Sequence, residues 1–358
     1  MGVARYVKKV INVLPDVRSF SSTLDHFPNE VHLSMTNRCN LICTFCGQDK
    51  IKWGKLDELT VEDYKEIIDQ VALMKDTALS FGGGEIYVYH GFDEVLDYCI
   101  QKQVPVDMIL TNGTLLDERR ITALLEANPG FIGFSIDGLP DTHNLIRGQD
   151  GTYDKTVASI KAMTAMKKKR GLSRPLIGIN MVITRQSMGD MEAVSKIAAE
   201  LSVDRMRYSY LNYISEKKLL EHKQYLERMY PDSVFCYWEG FLDRDTSLDS
   251  EKLAQIVTRM KSNNDRPKIQ FSFDLNEREI DKWYNSDDKV VNRCGFFDGF
   301  FILPNGDYPL CDYIRYTVGN VKERSMHELW NDTRARSFRK AVYKKLLPGC
   351  DRCCGALK

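Results

Sequence analysis

Short apolar runs alternate with amphipathic stretches between about residues 30 and 214. Near-continuous apolar runs of this length are typical of strands that are buried on both faces, and spacing at three and four residues is typical of helices. The runs predict strands at Val31–Thr36, Ala78–Phe81, Val106–Leu110, Phe131–Ile136, Ile177–Ile183 and Arg205–Leu211. The stretches between them predict helices at Val61–Met74, Phe92–Gln101, Glu118–Glu126, Lys155–Met166 and Met191–Leu201.

Six βα repeats predict an α/β fold in which helices cover one face of a parallel sheet. Six units are too few for a closed eight-stranded barrel, so we expect a partial (β/α)6 TIM-like barrel over residues 30–214. Its chemistry should lie at the carboxyl ends of the strands.

The remaining segments differ in pattern from the barrel. Residues 1–29 form an N-terminal extension, and the charged, tyrosine-rich residues 215–290 predict a helical connector with a possible strand at Ile269–Phe273. Residues 291–358 predict a small α+β domain. In that domain, Pro304-Asn305-Gly306-Asp307 predicts the turn of a hairpin between Phe297–Leu303 and Tyr308–Leu310, and Met326–Leu346 predicts one helix.

Composition narrows the possible partners. The chain has 50 basic and 50 acidic residues, so no overall basic field favours nucleic acid. No run approaches the roughly 20 apolar residues of a membrane span. Ten cysteines cluster at short spacings instead of being dispersed as in a disulfide scaffold. We therefore expect a cytoplasmic protein whose cysteines bind metal, with no nucleic-acid or membrane partner.

The first cysteine cluster follows the first predicted strand. Cys39, Cys43 and Cys46 have the spacing CxxxCxxC. Thiolates on such a loop can hold an iron–sulfur cubane, which normally has four ligands, and three leave one iron open to another molecule. Zinc and an ordinary ferredoxin-type cluster are the alternatives. Zinc would need a fourth ligand nearby. His32 is close in sequence, but it lies inside the predicted strand, so we expect it to be a core residue and not a ligand.

This loop resembles the CxxxCx(aromatic)C motif of the radical S-adenosylmethionine (SAM) superfamily, and Phe45 supplies the aromatic residue. The resemblance covers residues 30–214. It implies a [4Fe-4S] cluster whose open iron binds SAM, and reductive cleavage of SAM to a 5′-deoxyadenosyl radical that abstracts hydrogen from a substrate. It also implies a reducing partner such as flavodoxin or ferredoxin.

A glycine-rich turn after the second strand resembles another motif of that family. Gly83-Gly84-Glu85 is similar to its GGE motif, which meets the amino group of SAM. Glycines let backbone approach a ligand, and a carboxylate suits an ammonium group. Ile86 stands where the family often has proline.

Two further positions resemble the residues that hold the SAM carboxylate in related enzymes. These are Ser135 and Arg147, and an arginine fork can bind a carboxylate at two points. The alternative for Arg147 is a surface ion pair with Asp141 or Asp150. Asn112 is a candidate for the ribose of SAM, with a turn role as its alternative.

A second set of cysteines lies near the C-terminus. Cys294, Cys311, Cys350 and Cys353 could form a zinc site or hold a second cluster. The surrounding sequence resembles the SPASM/twitch domain of many radical SAM enzymes, which implies an auxiliary [4Fe-4S] cluster that accepts an electron from the substrate radical. Cys353 is the expected fourth ligand of this cluster, and the adjacent Cys354 is the alternative fourth ligand.

The resemblance leaves the substrate open. We expect oxidation or rearrangement of a small polar metabolite, such as a sugar- or cyclitol-like alcohol. The 38 residues before Cys39 are few for a peptide-recognition domain. The alternatives are a peptide-modifying enzyme and a non-catalytic iron–sulfur or zinc protein. Location alone predicts that the substrate lies near Tyr208, Tyr210, Asn212, Asp312, Tyr313 and Arg315.

The remaining cysteines carry weaker predictions. Cys99 lies among apolar residues of a predicted helix and should be a core residue. Cys236 and an unligated Cys354 could each donate a hydrogen atom to a substrate radical, although we expect ordinary packing or a surface thiol instead.

Overall fold

The computed structural model describes residues 27–357 except 48–56, 75, 232–236, 243–245, 263–266, 296–298, 312 and 354. Its centre is an eight-stranded sheet in the order β7-β6-β5-β4-β3-β2-β1-β9, and every neighbouring pair is parallel. The strands of this sheet are β1 (Glu30–Ser34), β2 (Ala78–Gly82), β3 (Val106–Thr111), β4 (Phe131–Ser135), β5 (Leu176–Ile183), β6 (Arg205–Tyr210), β7 (Lys268–Phe271) and β9 (Phe300–Ile302).

The helices that alternate with strands β1 to β6 cover one face of the sheet, whereas the last two helices of the chain pack against strands of the C-terminal segment. In chain order, the helices are α1 (Val61–Ala72), α2 (Phe92–Gln101), α3 (Glu118–Ala127), α4 (Pro140–Arg147), α5 (Thr152–Lys169), α6 (Met191–Glu200), α7 (Glu216–Met229), α8 (Ser250–Lys261), α9 (Glu277–Asn285), α10 (Met326–Trp330) and α11 (Thr333–Lys344). Helix α1 shows how the local sequence defines a helix. Thr60 and Asp63 form a capping box at its start, and its apolar residues Tyr64, Ile67 and Val71 are buried.

The predicted α/β partial barrel is confirmed, and the sheet continues beyond its six predicted strands. Strand β7 comes from the connector and pairs with β6 at one edge. Strand β9 comes from the C-terminal segment and pairs with β1 at the other edge. Both edges of the barrel sheet are therefore strands from residues that follow the predicted 30–214 segment.

The two faces of the sheet differ in character. In β1, Val31 and Leu33 are at most 1% exposed and pack against the helices, whereas Glu30, His32 and Ser34 on the opposite face are half-buried. Side chains alternate between faces along a strand, so the second set lines the interior of the barrel. The interior is thus partly polar.

The C-terminal segment departs from the predicted hairpin. The turn forms, because Gly306 donates to the Leu303 carbonyl at 2.9 Å. The strands that flank it do not pair with each other: β9 joins the barrel, whereas β10 (Asp307–Cys311) pairs with β11 (Ile314–Asn320). The short strands β8 (Arg293–Cys294) and β12 (Ala356–Leu357) also pair.

The single helix predicted at Met326–Leu346 is two helices. Helix α10 ends at Trp330, and Asp332 begins the next helix by accepting a hydrogen bond from the Arg334 backbone. An aspartate is a favoured N-cap residue, so a new helix begins at this position. The predicted N-terminal extension lies mostly outside the described residues. Among those described, no helix is long and apolar enough to span a bilayer.

Candidate active site

The loop after β1 brings the first three cysteines to the carboxyl end of the sheet. Cys39 is exposed, Cys43 is buried and Cys46 is intermediate. The backbone of Thr44 donates to the Ile146 carbonyl at 2.9 Å, and that of Ile42 donates to the Arg147 carbonyl at 3.3 Å. The end of α4 therefore fixes the shape of the cysteine loop.

Gly148 is required for this contact between loop and helix. Its φ of +71° is in the left-handed region, and a Cβ at this position would lie 2.6 Å from the Ile42 carbonyl oxygen. Any side chain here would push the loop that carries Cys43.

Arg147 connects the cysteine loop to a buried carboxylate. It is 8% exposed and forms an ion pair with Asp137, which is fully buried. Its Nη1 lies 3.5 Å from Cys43 Sγ, and its guanidinium lies 5.6 Å from the centre of the Phe45 ring. Burial opposes the charge on Arg147, but Asp137 and Cys43 outweigh it and raise its pKa.

The alternative prediction of a surface ion pair for Arg147 is wrong in its partners. Neither Asp141 nor Asp150 forms its ion pair; the partner is Asp137, at the end of the strand where the chain turns towards α4. One guanidinium nitrogen, Nε, is buried without a hydrogen-bond partner among the described residues. The predicted contact with a SAM carboxylate stays a prediction, and this unsatisfied donor fits it.

The loop after β2 packs directly on the backbone that precedes Cys39. Gly84 donates to the Thr36 carbonyl at 2.7 Å, and Glu85 donates to the Arg38 carbonyl at 3.0 Å. Gly83 has a φ of +120°, and a Cβ there would lie 2.6 Å from the Thr36 oxygen. The glycines therefore permit backbone-to-backbone contact between these two loops.

The Glu85 side chain points into the protein. It is 1% exposed and accepts hydrogen bonds from Thr111 Oγ1 and from the Asn112 backbone, both at 2.7 Å. Burial raises its pKa, although these donors act in the opposite direction. The carboxylate thus joins the loops after β2 and β3. Its predicted contact with the SAM amino group stays a prediction.

Asn112 has the turn role that was the alternative to ribose binding. Its Oδ1 accepts from the Thr114 backbone, and its Nδ2 donates to Asn40 Oδ1, both at 2.9 Å. Nδ2 also lies 4.0 Å from Cys39 Sγ. Ser135 is half-buried at the end of β4, beside Asn180 of β5. The site residues predicted for SAM lie on carboxyl-end loops or strand ends, except Arg147, which is the last residue of α4.

The four C-terminal cysteines converge on one apolar cavity of about 500 Å³, a volume that includes space open to solvent. The cavity is lined by Trp238, Cys294, Leu310, Cys311, Tyr313, Ile314, Phe338, Val342, Leu346, Cys350 and Cys353. Burial raises the pKa of Cys350 to about 12. Among the described residues, no group of three or more His, Cys, Asp or Glu side chains is close enough together to hold a single metal ion. The fit to a cluster therefore rests on the cavity and on the four thiols that line it.

Burial also affects two thiols of the three-cysteine loop. Burial raises the pKa of Cys43 to about 11, and it also raises the pKa of Cys39. Metal binding to such thiols must release their protons. The donor sets of both sites, three and four sulfurs, fit iron–sulfur clusters.

Two of the residues predicted near the substrate are brought together. Asn212, just after β6, donates from Nδ2 to the Tyr313 hydroxyl at 2.9 Å. Tyr313 stacks on Trp238 with ring centres 4.7 Å apart and lines the four-cysteine cavity. This pair links the mouth of the barrel to that cavity.

Tyr208 and Tyr210 are wrongly placed by the sequence argument. The Tyr208 hydroxyl bonds to Ser195 and to the Met191 carbonyl of α6, both at 2.7 Å. Tyr210 packs against Phe273, which follows β7, and against Trp283 and Tyr284 of α9. Both alternate along β6 with the residues that face the interior, so their side chains point away from it.

The interior positions of β6 are Arg205, Arg207 and Ser209, which the sequence argument missed. Alternation from the buried Tyr208 was the signal that could have found them. Asp312 and the side chain of Arg315 lie outside the described residues, as do Cys236 and Cys354. Cys99 is 1% exposed, so its core assignment is confirmed.

Sequence profiles of two families match the chain at these two sites. The Radical SAM superfamily matches residues 33–197, and the SPASM iron-sulfur cluster-binding domain matches residues 294–354. The protein is a radical SAM enzyme with a C-terminal SPASM domain. Its cofactors are SAM and [4Fe-4S] clusters, which rules against the zinc and non-catalytic alternatives.

Several curated proteins are similar to this one. Fe-coproporphyrin III synthase of Methanosarcina barkeri is 24% identical over 89% of this chain and 79% of its own. Mycofactocin maturase MftC of Mycobacterium tuberculosis is 30% identical over 49% of this chain and 44% of its own. PqqA peptide cyclase of Granulibacter bethesdensis is 27% identical over 63% of this chain and 52% of its own.

Solved structures show the same fold. Streptococcus suis SuiB bound to S-adenosylmethionine superposes with a TM-score of 0.62 at 18% identity, over 87% of this chain and 67% of SuiB. Native anSMEcpe with bound AdoMet gives a TM-score of 0.61 at 19% identity, over 91% of this chain and 88% of that one.

Proposed function

We propose that this radical SAM enzyme modifies a peptide. The observation that carries the proposal is the similarity to PqqA peptide cyclase across 63% of the chain, supported by the similarity to mycofactocin maturase. These relatives favour a peptide over the small polar alcohol expected from the sequence.

The shape of the barrel supports an extended substrate. Strands β7 and β9 are the two edges of the sheet, so the sheet does not close. The interior is partly polar, and its mouth meets the four-cysteine cavity at the Asn212–Tyr313 pair. A peptide entering through the open side could reach both.

The cofactor sites are assigned in the same proposal. Cys39, Cys43 and Cys46 hold the SAM-binding cluster, and SAM contacts Phe45, Gly83, Gly84, Glu85, Asn112, Ser135 and Arg147. Cys294, Cys311, Cys350 and Cys353 hold the auxiliary cluster. Together, when bound, the first cluster and SAM supply a 5′-deoxyadenosyl radical, and a reducing protein such as flavodoxin or ferredoxin provides the electron.

The chain's own residues orient these groups. The end of α4 fixes the cysteine loop, and Arg147 brings a positive charge beside Cys43. Glu85 fixes the backbone of Asn112 beside Cys39. These contacts preorganise the site before the substrate binds.

A tetrapyrrole is the second candidate substrate, because the similarity to Fe-coproporphyrin III synthase extends over 89% of the chain. Arg205 and Arg207 are placed by strand alternation on the interior face, and arginine binds carboxylates well.

The test is anaerobic release of 5′-deoxyadenosine by the reconstituted enzyme with SAM and reductant. Peptides, small metabolites and coproporphyrin are added separately, and a C39A/C43A/C46A variant is the control. The proposal predicts that the peptide fraction accelerates release by wild type only. Acceleration by coproporphyrin or by small metabolites, without any by peptides, would overturn it.

A further inference from the structure

The turn that carries Cys350 and Cys353 is held by the connector. Gly349 donates from its backbone to His222 Nδ1 of α7 at 3.2 Å. The Asp351 carboxylate lies 3.1 Å from Lys218 Nζ, also on α7. The cluster-binding turn thus has anchors outside the C-terminal segment.

Arg352, between the two cysteines, makes the third anchor. Its side chain is 5% exposed and donates to the carbonyls of Lys282 and Trp283 at 2.7 Å, and to that of Ser286 at 2.6 Å. These carbonyls are at the C-terminal end of α9, where helices leave unsatisfied oxygens and concentrate negative partial charge. A guanidinium satisfies several of them at once.

The hydrogen bonds of Arg352 all go to neutral acceptors. Besides the helix carbonyls, it donates to the Tyr213 hydroxyl at 3.2 Å and to the Asp351 carbonyl at 2.9 Å. In the part of the chain that the structure describes, no carboxylate forms an ion pair with Arg352. Its positive charge is therefore buried in the turn between Cys350 and Cys353. Asp287 and Asp351 line the same small cavity as Arg352, and the Asp351 carboxylate is paired with Lys218.

We propose that Arg352 is a positioning residue that holds the Cys350–Cys353 turn and raises the reduction potential of the auxiliary cluster. The inference rests on the proposed assignment of the four C-terminal cysteines. Four thiolates give such a cluster a net negative charge, and reduction makes it more negative. A fixed cation in a medium of low dielectric constant stabilises the reduced form more than the oxidised form. The auxiliary cluster is thereby a better electron acceptor.

The test compares R352Q with R293Q in the full reconstituted chain. Arg293 precedes Cys294 as Arg352 precedes Cys353, but Arg293 is exposed, so its charge is screened by water. Total iron is measured first, and the midpoint potential of the auxiliary cluster is then measured by electron paramagnetic resonance during redox titration. We expect R352Q to shift to a more negative potential and R293Q to remain close to wild type.

The outcomes separate the inference from the assignment beneath it. R352Q with full iron and a wild-type potential would overturn the role of Arg352. If R352Q loses the auxiliary irons, the midpoint potential is measured in R352K, which retains the positive charge. A wild-type potential in R352K supports the inference. A shift of that potential to more negative values overturns it. About four irons in wild type, instead of about eight, would instead overturn the auxiliary-cluster assignment.

Discussion

Single buried residues at this site each contact several neighbouring groups. Arg147 meets a buried carboxylate, a cysteine sulfur and an aromatic face, and Glu85 fixes the loop after β3. Each is buried, so removing one leaves its partner without compensation in a medium where charges and polar groups are costly. Such residues should affect cofactor loading and folding together.

The variant R147M tests this coupling. It leaves the Asp137 carboxylate, which is fully buried, without its cation. We expect a loss of about 3 kcal/mol in the free energy of unfolding, measured by urea denaturation, and fewer irons at the first cluster. The control R119Q removes an exposed partner of Asp93 and should cost less than about 1 kcal/mol. Equal losses in the two variants would contradict this account.

His143 predicts a pH dependence of stability. It is 1% exposed, and burial, followed by the charge of Arg147, lowers its pKa to about 3. As the pH falls below about 6.5, His143 of the unfolded chain takes up a proton and His143 of the folded chain does not. The stability that neutral His143 contributes is therefore fully present above about pH 6.5 and is lost as the pH falls. The loss is at most about 1.4 kcal/mol per pH unit. Urea denaturation of H143Q between pH 7 and pH 5 should show a shallower decline than wild type, and parallel declines would refute the assignment.

At the scale of elements, the site is made by contacts between chain segments that are distant in sequence. The end of α4 fixes the cysteine loop, the loop after β2 packs on the same loop, and α7 and α9 hold the second pair of C-terminal cysteines. The connector is therefore part of the cluster-binding architecture.

Two glycine variants separate backbone strain from contact with the loop. Gly148 and Gly151 have nearly the same φ, +71° and +72°, but only a side chain at Gly148 would meet the Ile42 carbonyl. We expect G151A to lose about 1 kcal/mol of stability from backbone strain alone. G148A should lose more, because its Cβ would also lie 2.6 Å from the Ile42 carbonyl oxygen. Only G148A should lose iron from the first cluster, as measured by iron content and absorption. Loss of iron in both variants, or in neither, would show that α4 does not shape the loop.

At the scale of the whole molecule, the barrel and the C-terminal segment share one sheet. Phe300 of β9 is fully buried, and its ring stacks on that of Tyr308 at 4.1 Å. The Asn212–Tyr313 pair spans the same junction at the barrel mouth. The two cofactor sites are therefore held by one continuous core.

Much of this molecule could be predicted from local pattern. The six central strands and the three-cysteine loop follow from apolar runs and short spacing, because both are encoded over a few residues. The pairing of β9 with β1 could not be predicted, since three residues carry no signal for a partner so distant in sequence. The Asp137–Arg147 pair depends on how the end of α4 packs against the end of β4, which spacing along the chain does not specify.

The most direct test measures 5′-deoxyadenosine and modified peptide in the same anaerobic reaction. Wild type is compared with a C350A/C353A variant that lacks half of the proposed auxiliary ligands. The account predicts that wild type forms both products, whereas the variant releases 5′-deoxyadenosine without forming the modified peptide. Wild type with about eight irons that releases no 5′-deoxyadenosine with any peptide would contradict it, as would full peptide modification by the variant.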